Sequence, residues 1–255
     1  MVPDDLLFER SPAAREWEVG RAEMRYRDLL PRRQGGRFIA SHIVIAGSGP
    51  VPDYVHHHGV RFQTIFCVRG WAQVVYQDQG PPFRLAAGDC VLQPPGIRHR
   101  VLESSPGLEV VEVTSPAEHQ TFADEELELP TPTRDPGRLF GGQRFVRHRA
   151  AEAHWQPWRL TGFECREAGI GPASDGLGEV RVARPSGNLP SAAPVVEHDG
   201  ELLFWFVLAG TVCLTMDARP EELDEGDAVA IPAGTSHALE RWTDDLELLE
   251  VTLPA

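Results

Sequence analysis

The chain repeats itself. Residues 108–117 read LEVVEVTSPA and residues 246–255 read LELLEVTLPA, identical at seven of ten positions. GDCVLQPPGIRH at 88–99 answers GDAVAIPAGTSH at 226–237. HGVRFQTIFCVRG at 58–70 answers HDGELLFWFVLAG at 198–210. Order and spacing are kept at an offset of 138 to 140 residues, which implies two tandem copies of one fold. A chain of 255 residues has room for two domains of ordinary size and for a real core in each.

Each copy reads as all-β. Arg37 to Ala46, Gln63 to Val68 and Ala72 to Tyr76 are short runs rich in β-branched and aromatic residues, bounded by Gly- or Pro-containing turns. AEMRYRDLL at 22–30 alternates polar and apolar residues and predicts a strand, and the GG pair at 35–36 predicts a hairpin turn after it. Phe163 to Ala168 and Glu179 to Ala183 alternate likewise in the second copy. The acidic, Pro-interrupted stretch between the copies reads as a linker. The expected division is therefore an N-terminal barrel at 1–118 holding a metal site, a linker at 119–140 and a C-terminal barrel at 141–255.

Charge and cysteine usage exclude several roles. With 24 Lys+Arg against 38 Asp+Glu the net charge is −14, which argues against a nucleic-acid backbone or an anionic membrane as partner. Cys67, Cys90, Cys165 and Cys213 are far apart and form no C-x-x-C, so they read as reduced thiols of a cytoplasmic protein. MVPDDLLFER lacks the apolar stretch of a secretion signal, and no apolar run is long enough to span a bilayer.

The chemistry-bearing residues are histidines in the first copy. His56 and His58 are two apart, so on a strand they share a face while His57 points the other way. His99 arrives after a turn-rich approach to a later strand. Three neutral imidazoles converging inside a barrel suit a divalent metal with open positions, and Gln63 offers an amide oxygen as a weak fourth ligand. His42 lies on a predicted strand in a period-two pattern that could turn it into the first barrel. Phe62, Phe66, Tyr54 and Trp71 flank the histidines, either lining the barrel or filling the core between sheets. Arg144, Arg147 and Arg149 with His148 form a basic cluster that reads as a solvated strand face or a tether for the acidic linker.

This arrangement resembles the cupin superfamily. His56-x-His58, four residues, Gln63, six residues and Gly70 follow the first cupin motif, with Gln where the family has Glu and the opening Gly displaced by one to Gly49. Gly88, five residues, Pro94-x-Gly96, two residues and His99 follow the second. Both motifs occur twice in order, so the chain looks like a bicupin: two tandem double-stranded β-helix (jelly-roll) barrels. In the second copy Val196 stands at the first His position and Leu203 at the Glu position, leaving His198 and His237 as a degenerate second site. The resemblance implies one divalent ion per chain (Fe, Zn, Ni or Mn) on His56, His58, His99 and Gln63. It implies a metal-dependent enzyme acting on a small organic substrate. By family analogy alone, a non-haem iron dioxygenase-like oxidoreductase is favoured over a lyase or isomerase. The competing reading is a small-molecule binding or sensing bicupin without turnover. A monomer and a homodimer are both compatible with this pattern.

Overall fold

The computed structural model describes residues 9–13, 16–20, 24–187 and 194–254. Most of the segment read as an N-terminus without a leader, and the start of the predicted strand at 22–30, lie outside the described residues. Strands dominate what is described, and they form two barrels of the jelly-roll type. No helix among the described residues is long and apolar enough to cross a membrane.

In the first barrel the larger sheet runs Val146–His148, Cys90–Leu92, Phe62–Arg69, Leu108–Ser115, Ile39–Ile45, Arg25–Asp28, Glu18–Val19. Facing it is a sheet of Thr121–Ala123, His56–His58, His99–Ser104, Trp71–Tyr76 and Phe83–Ala86, with Gly49–Pro50 beside His99–Ser104. The second barrel repeats the pattern. Its larger sheet runs Glu9–Ser11, Ala228–Ile231, Leu202–Ala209, Glu247–Leu253, Glu179–Pro185, Phe163–Glu167, Gln156–Pro157, and its smaller one is Arg219–Asp224, Thr211–Met216, His237–Trp242.

Strict alternation on the two longest repeated strands joins the barrels. Val111 and Val113 of one, and Leu249 and Val251 of the other, enter a single apolar cluster with Phe62, Phe66, Phe204 and Phe206. This answers the question the flanking aromatics posed, since Phe62 and Phe66 fill the core between the large sheets. The residues one step along, Val110 and Leu248, belong to the separate interiors of the two barrels. A period of two gives each strand two faces, and here both are buried. The barrels are also close enough that a Cβ on Gly178 would stand 2.7 Å from the Phe62 ring.

Three strand pairings cross the expected boundaries of 1–118, 119–140 and 141–255. Glu9–Ser11 pairs with Ala228–Ile231, so the N-terminal strand completes the second barrel's sheet. Val146–His148 pairs with Cys90–Leu92 and completes the first barrel's sheet. The exchange is reciprocal, and each swapped strand covers an edge that would otherwise expose unpaired backbone. Nor is 119–140 only a connector, because Thr121–Ala123 pairs with His56–His58. Within the basic cluster, Arg147 lies over the Phe83 ring at 4.1 Å and Arg149 pairs with Glu152. The turn around 35–36 does join two antiparallel strands, but through Arg33 and Gln34 in the left-handed region as well as the two glycines.

Two buried polar groups fasten the exchange. The Glu9 carboxylate accepts from Arg32 N at 2.5 Å, Gln34 N at 2.9 Å and Gln34 Nε2 at 2.6 Å, tying the swapped strand to that turn. Arg27, itself buried, donates to Pro12 O, to Gly226 O and to His42 Nδ1 at 3.1 Å. His42 Nε2 lies 3.0 Å from Glu109 Oε2. His42 therefore faces the second barrel, not the interior of the first. Its cross-strand partner Arg27 shares its face, while the neighbouring pair Tyr26 and Ile43 takes the other. Accepting from Arg27 at Nδ1 leaves the proton on Nε2, a neutral ring. Burial, outweighing the Glu109 hydrogen bond, holds the His42 pKa below its ordinary 6.5.

Replacing Glu9 with Ala strands two backbone donors and should cost about 2–4 kcal/mol in denaturant unfolding. A loss under ~0.5 kcal/mol would show that the swapped strand carries no such weight. The depressed His42 also sets a pH dependence. The folded state resists protonating this ring, so its contribution is present above about pH 6.5 and is lost as pH falls below it. Unfolding curves from pH 7.5 to 5.5 should show wild type losing stability faster than His42→Gln; parallel profiles would contradict this.

Candidate metal centre

The short strand His56–His58 lies between Thr121–Ala123 and His99–Ser104, with His56 directly opposite His99. Alternation then brings three imidazoles together. Ring centroids are 4.3 Å apart for His56 and His99, 5.1 Å for His56 and His58, and 5.3 Å for His58 and His99. One ring nitrogen of each lies within 4.8 Å of the other two.

The tautomers fit a metal. His56 Nδ1 donates to Tyr54 O at 2.8 Å and His99 Nδ1 to Ile97 O at 3.1 Å. A carbonyl only accepts, so the proton sits on Nδ1 and Nε2 keeps its lone pair. His58 Nδ1 is 3.0 Å from Thr121 Oγ1, a partner that the connecting segment supplies. The buried Asp53 carboxylate lies 3.8 Å from His56 Nδ1 and accepts from Val101 N. Three imidazoles with such backing could hold a divalent first-row ion and leave positions open.

His57 points the other way, as its position in the strand requires. Its Nδ1 is 2.6 Å from Asp124 Oδ2, which also accepts from Arg98 Nε at 3.1 Å, and its ring stacks on Phe122 at 4.9 Å. The connecting segment thus grips the His56–His58 strand on both faces.

Gln63 is buried beside the imidazoles with both ends of its amide in use. Its Oε1 accepts from Gln93 Nε2 at 2.8 Å, and its Nε2 donates to Glu112 Oε1 at 3.1 Å. Gln93 Nε2 is also 3.1 Å from His99 Nε2, and Gln93 Oε1 accepts from the Tyr76 hydroxyl at 2.9 Å. Side-chain hydrogen bonds therefore run from Tyr76 through Gln93 and Gln63 to Glu112. Three of these four residues were not singled out from the sequence. Glu112 had a legible signal: it stands at an inward position of an alternating strand, where an apolar residue is the default.

In front of the imidazoles is a cavity of about 100 Å³. Ile43, Ile45, Ile65, Val74, Leu108 and Val110 form its apolar body, while Gln93 and Glu112 join the three histidines as polar lining. Tyr76 is fully buried against it, and burial first of all drives its phenol far above the ordinary value of 10. Tyr54 packs edge-on against His56 at 5.5 Å, outside the cavity lining. All four cysteines are buried and unpaired, and burial pushes the Cys67 and Cys90 thiols up to about 12.

The second barrel has the frame without the site. Val196 bridges His237 just as His56 pairs with His99. His198 and His237 are 6.2 Å apart between centroids. His198 Nε2 is spent on Ile231 O at 2.8 Å, and His237 Nδ1 donates to Thr235 O. Positions 63, 65, 76 and 93 of the first copy correspond to Leu203, Trp205, Met216 and Ile231, all in the apolar core of this barrel. Burial holds His237 below the ordinary 6.5, and its Nε2 has no hydrogen-bond partner among the described residues. Glu250, the counterpart of Glu112, is neutralised by Arg159 at 2.5 Å and Arg181 at 3.3 Å and accepts from Trp205 Nε1 at 2.8 Å.

Comparison with known proteins agrees with this architecture. Residues 189–252 match the family model described as a cupin domain. No curated protein matches the chain. Among solved structures, salicylate 1,2-dioxygenase from Pseudaminobacter salicylatoxidans aligns with a TM-score of 0.70 at 16% identity, over 99% of this chain and 86% of that one. The protein Ylba from E. coli gives 0.68 at 11%, over 99% and 93%. Oxalate decarboxylase from Bacillus subtilis gives 0.67 at 14%, over 96% and 76%. At such identities the likeness is one of fold, and it spans both barrels. Taken together, the chain folds as two tandem jelly-roll barrels, and the cupin-domain match falls on the second of them.

Proposed function

We propose that the chain is a metal-dependent enzyme that transforms a small organic molecule in its first barrel, and that oxygen-dependent oxidation of the dioxygenase type is the reaction to test first. The observation that carries this reading is the convergence of three imidazoles, one ring nitrogen of each within 4.8 Å of the other two, at a largely apolar cavity. The fold similarity to a salicylate dioxygenase and an oxalate decarboxylase supports small-molecule chemistry. His56, His58 and His99 would hold the ion, which supplies Lewis acidity and, as iron, redox chemistry.

The protein's own residues do the rest. Backbone carbonyls of Tyr54 and Ile97 and the Thr121 hydroxyl fix the imidazoles in orientation, as partners of metal-ligating histidines do. Gln63 acts one layer out, because its Oε1 is taken by Gln93; it orients Gln93 against His99. Ile65, Val74 and Val110 exclude water from the reacting end. We assign no metal to His198 and His237. The burial of the two barrels against each other within one chain supports a monomer as the minimal unit, and the four free thiols support the cytoplasm.

Elemental analysis of protein purified without a metal column tests the reading. About one divalent ion per chain is expected for wild type and for His237→Ala, with roughly tenfold less or lower for His56→Ala and His99→Ala. Two ions per chain, or none after reconstitution with Fe(II), Mn(II), Ni(II) or Zn(II), would overturn it. With iron present, an oxygen electrode should record uptake on adding phenols, enols or diketones, and none in His99→Ala.

A further inference from the structure

The polar groups facing the cavity have an unusual balance. Trp71–Tyr76 turns Ala72, Val74 and Tyr76 to it, and their partner strand contributes His99 opposite Tyr76 and Val101 opposite Val74. Arg100 is paired with Val75, between those two, so it faces the opposite side of its sheet. Arg27 is likewise on the outer face, paired with His42. Arg100 nevertheless borders the cavity; apart from the histidines it is the one basic residue in the lining, and among the described residues no ion pair reaches Glu112. Glu112 is the acid that lines it.

Glu112 is half engaged. Gln63 Nε2 and the Thr114 hydroxyl both donate to Oε1, at 3.1 and 3.2 Å. Among the described residues no hydrogen bond reaches Oε2. The other polar groups deeper in are mutually satisfied, Gln93 by Tyr76 and Gln63, and Gln63 by Gln93 and Glu112. The second barrel is an internal control. The equivalent Glu250 is wholly buried, answered by two arginines and an indole, and the interior around it is filled. Where the repeat uses this carboxylate structurally, it supplies the counter-charge. In the first barrel the carboxylate is kept, no ion pair among the described residues answers it, and the space beside it is a cavity.

We propose that the cavity takes a compact, uncharged substrate bearing an O–H or N–H donor, that Glu112 Oε2 receives that donor, and that the same carboxylate disfavours substrates carrying a carboxylate of their own. This rests on the reading of the first barrel as the active site. It also sets the chain apart from two of its structural neighbours, whose named substrates salicylate and oxalate are both carboxylates. A like charge at close range in a poorly solvated site is worth about tenfold or more in affinity.

Salicyl alcohol and salicylate form a matched pair of probes, the one neutral and the other anionic. Calorimetric titration of the full-length protein, as purified and after chelator treatment, gives the ratio of their Kd values in each state. The quantity that decides is the change in that ratio on Glu112→Gln, in which any advantage from a metal cancels. A shift of about tenfold towards salicylate, in both metal states, is expected. A shift under about twofold, a shift towards the alcohol, or failure of both probes to bind would overturn the proposal. Stripped wild type that prefers salicylate would overturn it even should the variant not fold. Metal content is measured on the same samples. An absent metal with the ratio shift intact sinks the enzyme reading alone, whereas a bound metal without the shift sinks this inference alone.

Discussion

The two large sheets bury one face against each other, and the rest of the molecule is arranged around that contact. Phe62 and Phe66 from one barrel meet Phe204 and Phe206 from the other, with Val111, Val113, Leu249 and Val251 beside them. Such residues leave water only if their strands run in register, and a one-residue slip would turn every one of them to the wrong side. The shared core therefore fixes the register of Phe62–Arg69 and Leu108–Ser115. That register in turn aims Gln63, Ile65, Val110 and Glu112 at the interior of the first barrel. The reciprocal strands Glu9–Ser11 and Val146–His148 lock the same contact from its two edges.

Of two copies of one frame, one holds a cavity and the other is filled. In the first, His56, Gln63, Ile65, Tyr76 and Gln93 leave room before the imidazoles; in the second, Val196, Leu203, Trp205, Met216 and Ile231 use it up. Trp205 is the largest of these changes. It fills space, bonds to Glu250 and stands 5.6 Å from the His237 ring. Filling a barrel with apolar side chains favours stability, whereas keeping a cavity open costs packing. A chain with one barrel of each kind can bear the open one because the other, and the core between them, supply the burial.

Polar groups in the first barrel are held in one arrangement rather than many. Carbonyl acceptors set the tautomers of His56 and His99, and the Tyr76–Gln93–Gln63–Glu112 chain leaves few alternative pairings. In surroundings of low polarity an unpaired partner is expensive, so such a chain is rigid as a whole. The connecting segment joins in through Thr121, Phe122 and Asp124, which grip the strand that carries two of the three imidazoles.

Much of this was readable in the sequence by itself. The repeat, the alternation and the turn residues determined an all-β chain of two like barrels, because periodicity and glycine or proline placement act locally. The H-x-H spacing determined that His56 and His58 share a face, and the apolar residues Val196 and Leu203 at the matching positions of the second copy distinguished the two barrels. Tertiary structure alone decided which strand completes which barrel, since edge pairing depends on where an edge is left open in space. It alone turned His42 towards the neighbouring barrel and brought residues 121–124 onto the ligand strand. It alone put Glu112 at the cavity, while Arg159 and Arg181 answered its twin. Those outcomes are long-range: the partner of a buried charge is chosen by packing between segments far apart in the chain, and no local pattern encodes it.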